Sequence, residues 1–185
     1  MKMEIILKIY LKIFLVISVL IVSGCDAMSN LIDKEKAQYT EDLNSENLVV
    51  KKEALDYFRD NPEDSVEELI INAVNDESDT IKVAAIESIG SNQYENAVDV
   101  LIPLLKSSKE DIVKSSIVSL GKIGEEKKSI SALVPLLKKK DYQIEVIWAL
   151  GNIGSKDAVK PLSELLSSSD KYVVYNATMA LKLIR

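Results

Sequence analysis

The amino-acid sequence predicts an all-α fold, a right-handed α-solenoid of about five short helix pairs. Apolar residues recur at intervals of 30 or 31 residues in two separate sets, and a period in this range is typical of repeat arrays. The first set contains Val50, Ile81, Ile112, Tyr142 and Val173. The second set contains Phe58, Ile89, Leu120, Leu150 and Leu181. Because both sets keep one register along the chain, we predict stacked repeats.

Two kinds of helix alternate in the predicted array. First-type helices, each containing one residue of both sets, are predicted over residues 50–59, 81–90, 112–121, 142–151 and 173–184. Between them, apolar residues at i, i+3, i+4 and i+7 predict second-type helices, as in the segment 66–74. Pro103 and Pro135 occupy equivalent positions in two second-type helices, where we expect kinks. Short helices with one apolar face gain stability by stacking, which favours a solenoid.

The composition restricts the chemistry that the chain can perform. The 185 residues include no histidine, so the commonest general base and metal ligand is missing. Cys25 is the single cysteine, which rules out an intrachain disulfide and a cluster of thiolate ligands. The net charge of −6 argues against a nucleic-acid partner, which needs a basic surface. We therefore expect no catalytic residues, no metal site and no cofactor.

The first 25 residues have the pattern of an export signal. Three lysines within residues 1–12 precede ten residues, 13–22, of which only one is polar. This apolar stretch is shorter than the ~20 residues that a membrane-spanning helix needs. The sequence Val22-Ser23-Gly24-Cys25 resembles the lipobox of bacterial lipoproteins. The resemblance implies cleavage before Cys25, lipid attachment to its sulfur, and anchoring to the bacterial cell membrane on its periplasmic or extracellular side.

The alternative for this region is an uncleaved signal anchor over residues 5–22, in which Cys25 has no role. Such a helix would bury Lys8 and Lys12, at a cost of roughly 2.5 kcal/mol or more for each near the bilayer centre. A cleaved signal peptide explains the short apolar stretch and the cysteine together. We therefore predict a signal peptide over 1–24, a lipidated cysteine with a tether or a degenerate capping helix over 25–47, and a repeat domain over 48–185.

Two segments share one detailed pattern, Ser119-Leu120-Gly121-Lys122-Ile123-Gly124 and Ala149-Leu150-Gly151-Asn152-Ile153-Gly154. They look like short HEAT repeats, of the subtype also found in phycobilisome-lyase-like proteins, and the resemblance covers residues 48–185. A Gly-x-x-Gly pair can cradle phosphate, but recurrence at the repeat period favours helix ends. The family usually carries a ladder of basic residues, which Lys51 and Lys82 fit. The positions that depart from the ladder are Val113, Gln143 and Val174.

The resemblance implies that the first-type helices line a concave surface. The third and seventh positions, counted from the first apolar residue, then share one exposed helical stripe. Its N-terminal part is charged, with Lys52, Asp56 and Glu87, and its C-terminal part is apolar. We predict a partner-binding patch there, unless a small twist turns the side chains into the core or a second copy covers them. The patch consists of Val118, Ile144, Trp148, Tyr175 and Met179.

The sequence thus predicts a membrane-anchored scaffold that binds a protein or peptide on its concave face. The apolar C-terminal half would supply affinity, and the acidic N-terminal half would select basic partners. One alternative is a structural envelope protein that associates with itself through its C-terminal end. Another is a lyase-like or chromophore-handling protein, as the resemblance to phycobilisome-lyase-like proteins implies.

Overall fold

The computed structural model describes residues 25–184, and every regular element among them is helical. Helix α1 (Cys25–Asp42) precedes the array. The first-type helices are α2 (Leu48–Asp60), α4 (Asp79–Asn92), α6 (Glu110–Ile123), α8 (Gln143–Ile153) and α10 (Lys171–Leu183). The second-type helices, each extended by short 3₁₀ segments, are α3 (Glu67–Ala73), α5 (Val98–Leu104), α7 (Glu126–Leu133) and α9 (Val159–Glu164). The all-α prediction is therefore confirmed.

The first-type helices form one continuous row, in which each helix packs on the next. The second-type helices pack on this row and make few contacts with one another, so the row lies on the inner curve of a two-layered solenoid. Phe58, Ile89, Leu120 and Leu150, from the second apolar set, are completely buried in the core. Leu181 is only half-buried, because no described helix packs beyond α10.

Helix α1 packs against the first helix of the array through its second half. Tyr39 of α1 stacks on Tyr57 of α2, with ring centroids 4.1 Å apart and ring planes 17° from parallel. Lys36 forms an ion pair with Glu63, which lies beyond the end of α2. The segment that the sequence leaves open between a tether and a capping helix is therefore helical over Cys25–Asp42 and docked on α2.

Glycines of the first-type helices have two different roles. Gly121 lies inside α6, and a Cβ atom there would come within 2.7 Å of the Cα and Cβ atoms of Ala149 on α8. Gly124 ends α6 in the left-handed conformation, with a φ of 78°. The expectation that both glycines of a Gly-x-x-Gly pair end the helix is therefore wrong for the first one, which instead permits two helices to approach closely. Equivalent close contacts join Gly90 to Ser119 and Gly151 to Ala180.

The two prolines that were expected to cause kinks lie where the α-helix stops. Helix α7 ends at Leu133 and continues as a 3₁₀ segment, Val134–Lys138, that contains Pro135. Helix α5 contains Pro103 and ends one residue later, at Leu104. A proline has no N–H group to donate to the carbonyl four residues earlier, and its ring crowds that carbonyl, so the regular α-helical hydrogen-bond pattern is interrupted where the proline stands.

A repeated turn, which the sequence analysis missed, precedes four of the first-type helices. In each turn a side-chain oxygen accepts a hydrogen bond from the backbone N–H two residues later, over 2.9 to 3.2 Å. Asp76 Oδ2 also accepts a hydrogen bond from Lys51 Nζ of α2 at 2.7 Å. The Lys51 bond, helped by the N–H of Ser78, lowers the pKa of the Asp76 carboxyl. The four acceptor residues are Ser45, Asp76, Ser107 and Ser168.

Candidate partner-binding surface

The five residues of the predicted patch lie on three neighbouring first-type helices. Val118 is on α6, Ile144 and Trp148 are on α8, and Tyr175 and Met179 are on α10. Val118 is half-buried. The exposed fraction is 37% for Ile144, 42% for Trp148, 63% for Tyr175 and 44% for Met179. These five residues, called the apolar patch below, therefore face solvent instead of filling the space between repeats.

Packing beneath the patch fixes the position of Trp148. Its chain neighbours Ile147 and Ala149 are completely buried, which sets the rotation of α8 about its axis. The Cζ3 atom of Trp148 lies 3.1 Å from the point where a Cβ atom on Gly121 would be. The indole ring therefore rests on α6 at the same glycine that lets α6 and α8 approach each other.

The apolar surface continues along α10 beyond the predicted residues. Tyr172 is 79% exposed and Leu183 is 59% exposed. With Tyr175 and Met179 they are spaced by three, four and four residues, so the four side chains form one stripe, called the α10 stripe below. Sequence analysis missed both ends because the equivalent positions in the two preceding repeats are polar or charged. The spacing within α10 itself is the signal that could have found them.

Ion pairs cover the N-terminal part of the concave face. Asp56 lies 2.6 Å from Lys52 Nζ and 2.8 Å from Arg59 Nη1, and Arg59 Nη1 lies 3.8 Å from Glu87 on α4. Arg59 also donates a hydrogen bond to Asp60, which raises the pKa of the Arg59 guanidinium. Lys52 and Arg59 are therefore two cations shared among three carboxylates, so the region is a network of ion pairs that keeps the acidic excess expected from the sequence.

Two lysines of α6 connect this network to the patch. Lys114 Nζ lies 2.6 Å from Glu110 and 3.8 Å from Glu145 of α8, and the hydrogen bond with Glu110 raises the pKa of Lys114. Lys122 Nζ donates to Ser91 Oγ at 3.2 Å. A shallow groove of about 430 Å³ is lined by both lysines and by Val118. A second groove, of about 700 Å³, continues from it between α4 and α6.

The family of the chain follows from its match to known repeats. A family model of HEAT repeats matches residues 66–145 and 139–185, which together make up more than half of the chain. The chain belongs to the HEAT-repeat family. Its HEAT repeats correspond to the helix pairs described above. No curated protein sequence matches this HEAT-repeat chain.

Solved structures share the fold. The complex of CpcE and CpcF of phycocyanin lyase from Nostoc sp. has 21% sequence identity and a TM-score of 0.69, over 80% of this chain and 64% of that chain. This HEAT-repeat chain thus spans less than two thirds of that relative's length. A designed armadillo repeat protein in complex with the peptide (KR)4 has 18% identity and a TM-score of 0.65, over 88% and 87% of the two chains. The likeness at these identities shows the fold, a helical repeat scaffold.

The predicted signal peptide, residues 1–24, and the predicted lipidation of Cys25 lie outside what the structure describes. Among the described helices, none combines the length and the apolar character that crossing a membrane requires. Export and lipid anchoring therefore stay predictions from the sequence.

Proposed function

We propose that this HEAT-repeat chain is a scaffold that binds a protein or peptide on its concave face, with the apolar patch as the centre of the binding surface. The observation that carries the proposal is the exposure of Ile144, Trp148, Tyr175 and Met179 on adjacent helices. A contiguous apolar surface costs free energy in water, and tryptophan and tyrosine are frequent anchors of protein interfaces. Because Trp148 is held by buried neighbours and by Gly121, little side-chain entropy would be lost on binding.

The similar structures support this class of function. One of them is a designed armadillo repeat protein in complex with a peptide, and another is a complex of two proteins, CpcE and CpcF. The lyase-like alternative depends on the likeness to CpcE and CpcF, which at 21% identity concerns the fold. An absorbing chromophore that copurifies with the chain would favour this alternative over the scaffold.

We test the binding surface by capturing partners from an envelope extract on the immobilised full-length protein. We expect Trp148→Ala and Tyr175→Ala each to weaken retention of a captured protein by roughly tenfold or more, because truncation of an interface anchor costs about 2 kcal/mol. Leu166→Ala is the matched control, since Leu166 is an equally exposed apolar residue outside the patch. Retention of the same proteins by all variants would show that the patch is not the binding surface.

The proposal includes a lipid anchor on Cys25 that holds the scaffold beside the bacterial membrane. The lipobox-like sequence supports it, and so does the docking of α1 on the array, since a docked helix would keep the repeats close to the attachment point. We expect Cys25→Ser to abolish incorporation of labelled fatty acid and to move the protein out of the membrane fraction. Unchanged labelling and fractionation of the variant would exclude the anchor.

A further inference from the structure

The surface around the apolar patch carries three lysines that form no ion pair with the part of the chain that the structure describes. Lys171 and Lys182 flank the α10 stripe on one side, at i−4 from Tyr175 and i+3 from Met179. Among residues 25–184, neither lysine has a carboxylate within the 4.0 Å of an ion pair, and the same holds for Lys122 on α6. The border of the patch is therefore cationic, although the whole chain has a net charge of −6.

Two carboxylates near this border are already engaged. Glu145 of α8 lies 3.8 Å from Lys114. Asp170, which precedes α10, accepts a hydrogen bond from the N–H of Tyr172 at 2.8 Å and thereby caps the helix. Helix α10 itself contains two lysines and no acidic residue. A partner that brings carboxylates to Lys122, Lys171 and Lys182 would thus meet attraction at all three.

The geometry of the α10 stripe fits a helix. Spacings of three, four and four residues from Tyr172 to Leu183 place the side chains in a single narrow seam, as in helices that pack along their length. The α10 stripe is about 17 Å long at 1.5 Å per residue, which corresponds to about three turns of a partner helix. Trp148 and Ile144 of α8 extend the apolar surface on one side of the α10 stripe. Lys171 and Lys182 lie on its other side.

Two other occupants fit less well. A second copy that docks antiparallel through its own α10 would place Lys171 beside Lys182, so like charges would meet. In a parallel pair each lysine would face the opposite flank of the partner α10, which offers no carboxylate. A flat bilayer could reach Tyr172 and Tyr175, but Val118 is half-buried on the inner curve of the solenoid. A helix of another protein can enter this curve, whereas a membrane surface cannot follow it.

We propose that the apolar patch and the α10 stripe bind an amphipathic helix of another protein, whose apolar face is flanked by aspartate or glutamate. The inference rests on the proposed binding function and names the partner's chemistry. It reverses the expectation from the sequence that basic partners are selected, because the charges next to the apolar contact surface are cations.

Two synthetic helical peptides test the proposal against the full-length protein. Both carry the same leucine seam and no tryptophan, and one is flanked by glutamates while its twin is flanked by lysines. Trp148 is the only tryptophan of the chain, so its fluorescence reports binding at the site. We expect the acidic peptide to bind on the order of tenfold tighter at low salt, and the preference to vanish at 1 M salt, where the Debye length is about 3 Å.

Charge-reversal variants provide the control. The double variant Lys171→Glu and Lys182→Glu should abolish or invert the preference for the acidic peptide. The matched control, Lys127→Glu with Lys160→Glu, changes two exposed lysines of the second-type helices and should preserve that preference. Equal binding of both peptides that is lost in Tyr175→Ala would overturn the inference and leave the proposed function standing. Tighter binding of the basic peptide would also overturn the inference.

Further outcomes separate the other occupants. Binding to phosphatidylglycerol vesicles that is lost in Tyr172→Ala, without binding of either peptide, would identify a membrane-contacting surface and overturn both proposals. A Trp148 signal that no peptide changes, together with self-association that is lost in Tyr175→Ala, would likewise overturn both and identify a second copy as the occupant.

Discussion

At the residue scale, the clearest departure from the repeat pattern is Gln93. It ends α4 with a φ of 57° and a ψ of 40°, in the left-handed conformation that Gly124 and Gly154 adopt at the ends of α6 and α8. A side chain with a Cβ atom is strained in this region, whereas glycine is not. Gln93 is exposed, so nothing in the core depends on its side chain.

We therefore expect Gln93→Gly to stabilise the protein by about 0.5 to 1 kcal/mol, since relief of strain outweighs the added freedom of the unfolded chain. Urea unfolding measures the change, and the melting temperature should rise by about 2 °C. Gly124→Ala is the matched opposite change and should destabilise by a similar amount. A loss of stability in Gln93→Gly would contradict this account of the helix end.

At the scale of elements, stacking of the first-type helices depends on close approach at the glycines and on links between neighbouring repeats. The Lys51 and Asp76 pair is one such link, joining α2 to the turn between α3 and α4, and it is mostly shielded from solvent. The hydrogen bond from Lys51 and the one from the Ser78 N–H both favour the charged carboxylate, so the pKa of Asp76 in the folded protein is below its ordinary value of 3.8.

Asp76→Ser isolates this link, because serine fills the same turn position at Ser45, Ser107 and Ser168 and keeps the turn hydrogen bond. We expect a loss of about 1 kcal/mol at pH 7. Since folding lowers the pKa of Asp76, its contribution is complete above pH 3.8 and is lost as the pH falls through the lowered value. Urea unfolding from pH 7 to pH 2 should therefore bring wild type and variant together. A constant difference would contradict the account.

Element types and the repeat register could be predicted from the sequence, because apolar periodicity records which side of a helix is buried. The apolar patch could also be located, since Ile144 and Trp148 lie off the buried side of α8. The docking of α1 could not, because Tyr39 and Tyr57 are isolated aromatic residues without a repeat to mark them. The i, i+3 spacing of Asp56 and Arg59 on a predicted helix indicates their ion pair, but the contact of Arg59 with Glu87 could not be predicted, since it depends on how α2 packs on α4.

At the scale of the whole molecule, the concave face changes character along the solenoid. Helices α2 and α4 present paired charges such as Lys52 with Asp56, whereas α8 and α10 present Trp148, Tyr175 and their apolar neighbours. A partner would therefore be bound with a defined direction, its apolar anchor at the C-terminal end of the array. The central claim is that this apolar surface is accessible in the free protein and is not an interface between copies.

Quenching of Trp148 fluorescence by acrylamide, measured on the full-length protein over a wide range of protein concentration, tests this claim most directly. The side chain is 42% exposed, so we predict substantial quenching that does not change with protein concentration. A tryptophan protected from acrylamide at every concentration would contradict the claim, because the side chain would then belong to the core. Protection that grows with concentration would contradict it equally, since a second copy would then cover the apolar patch.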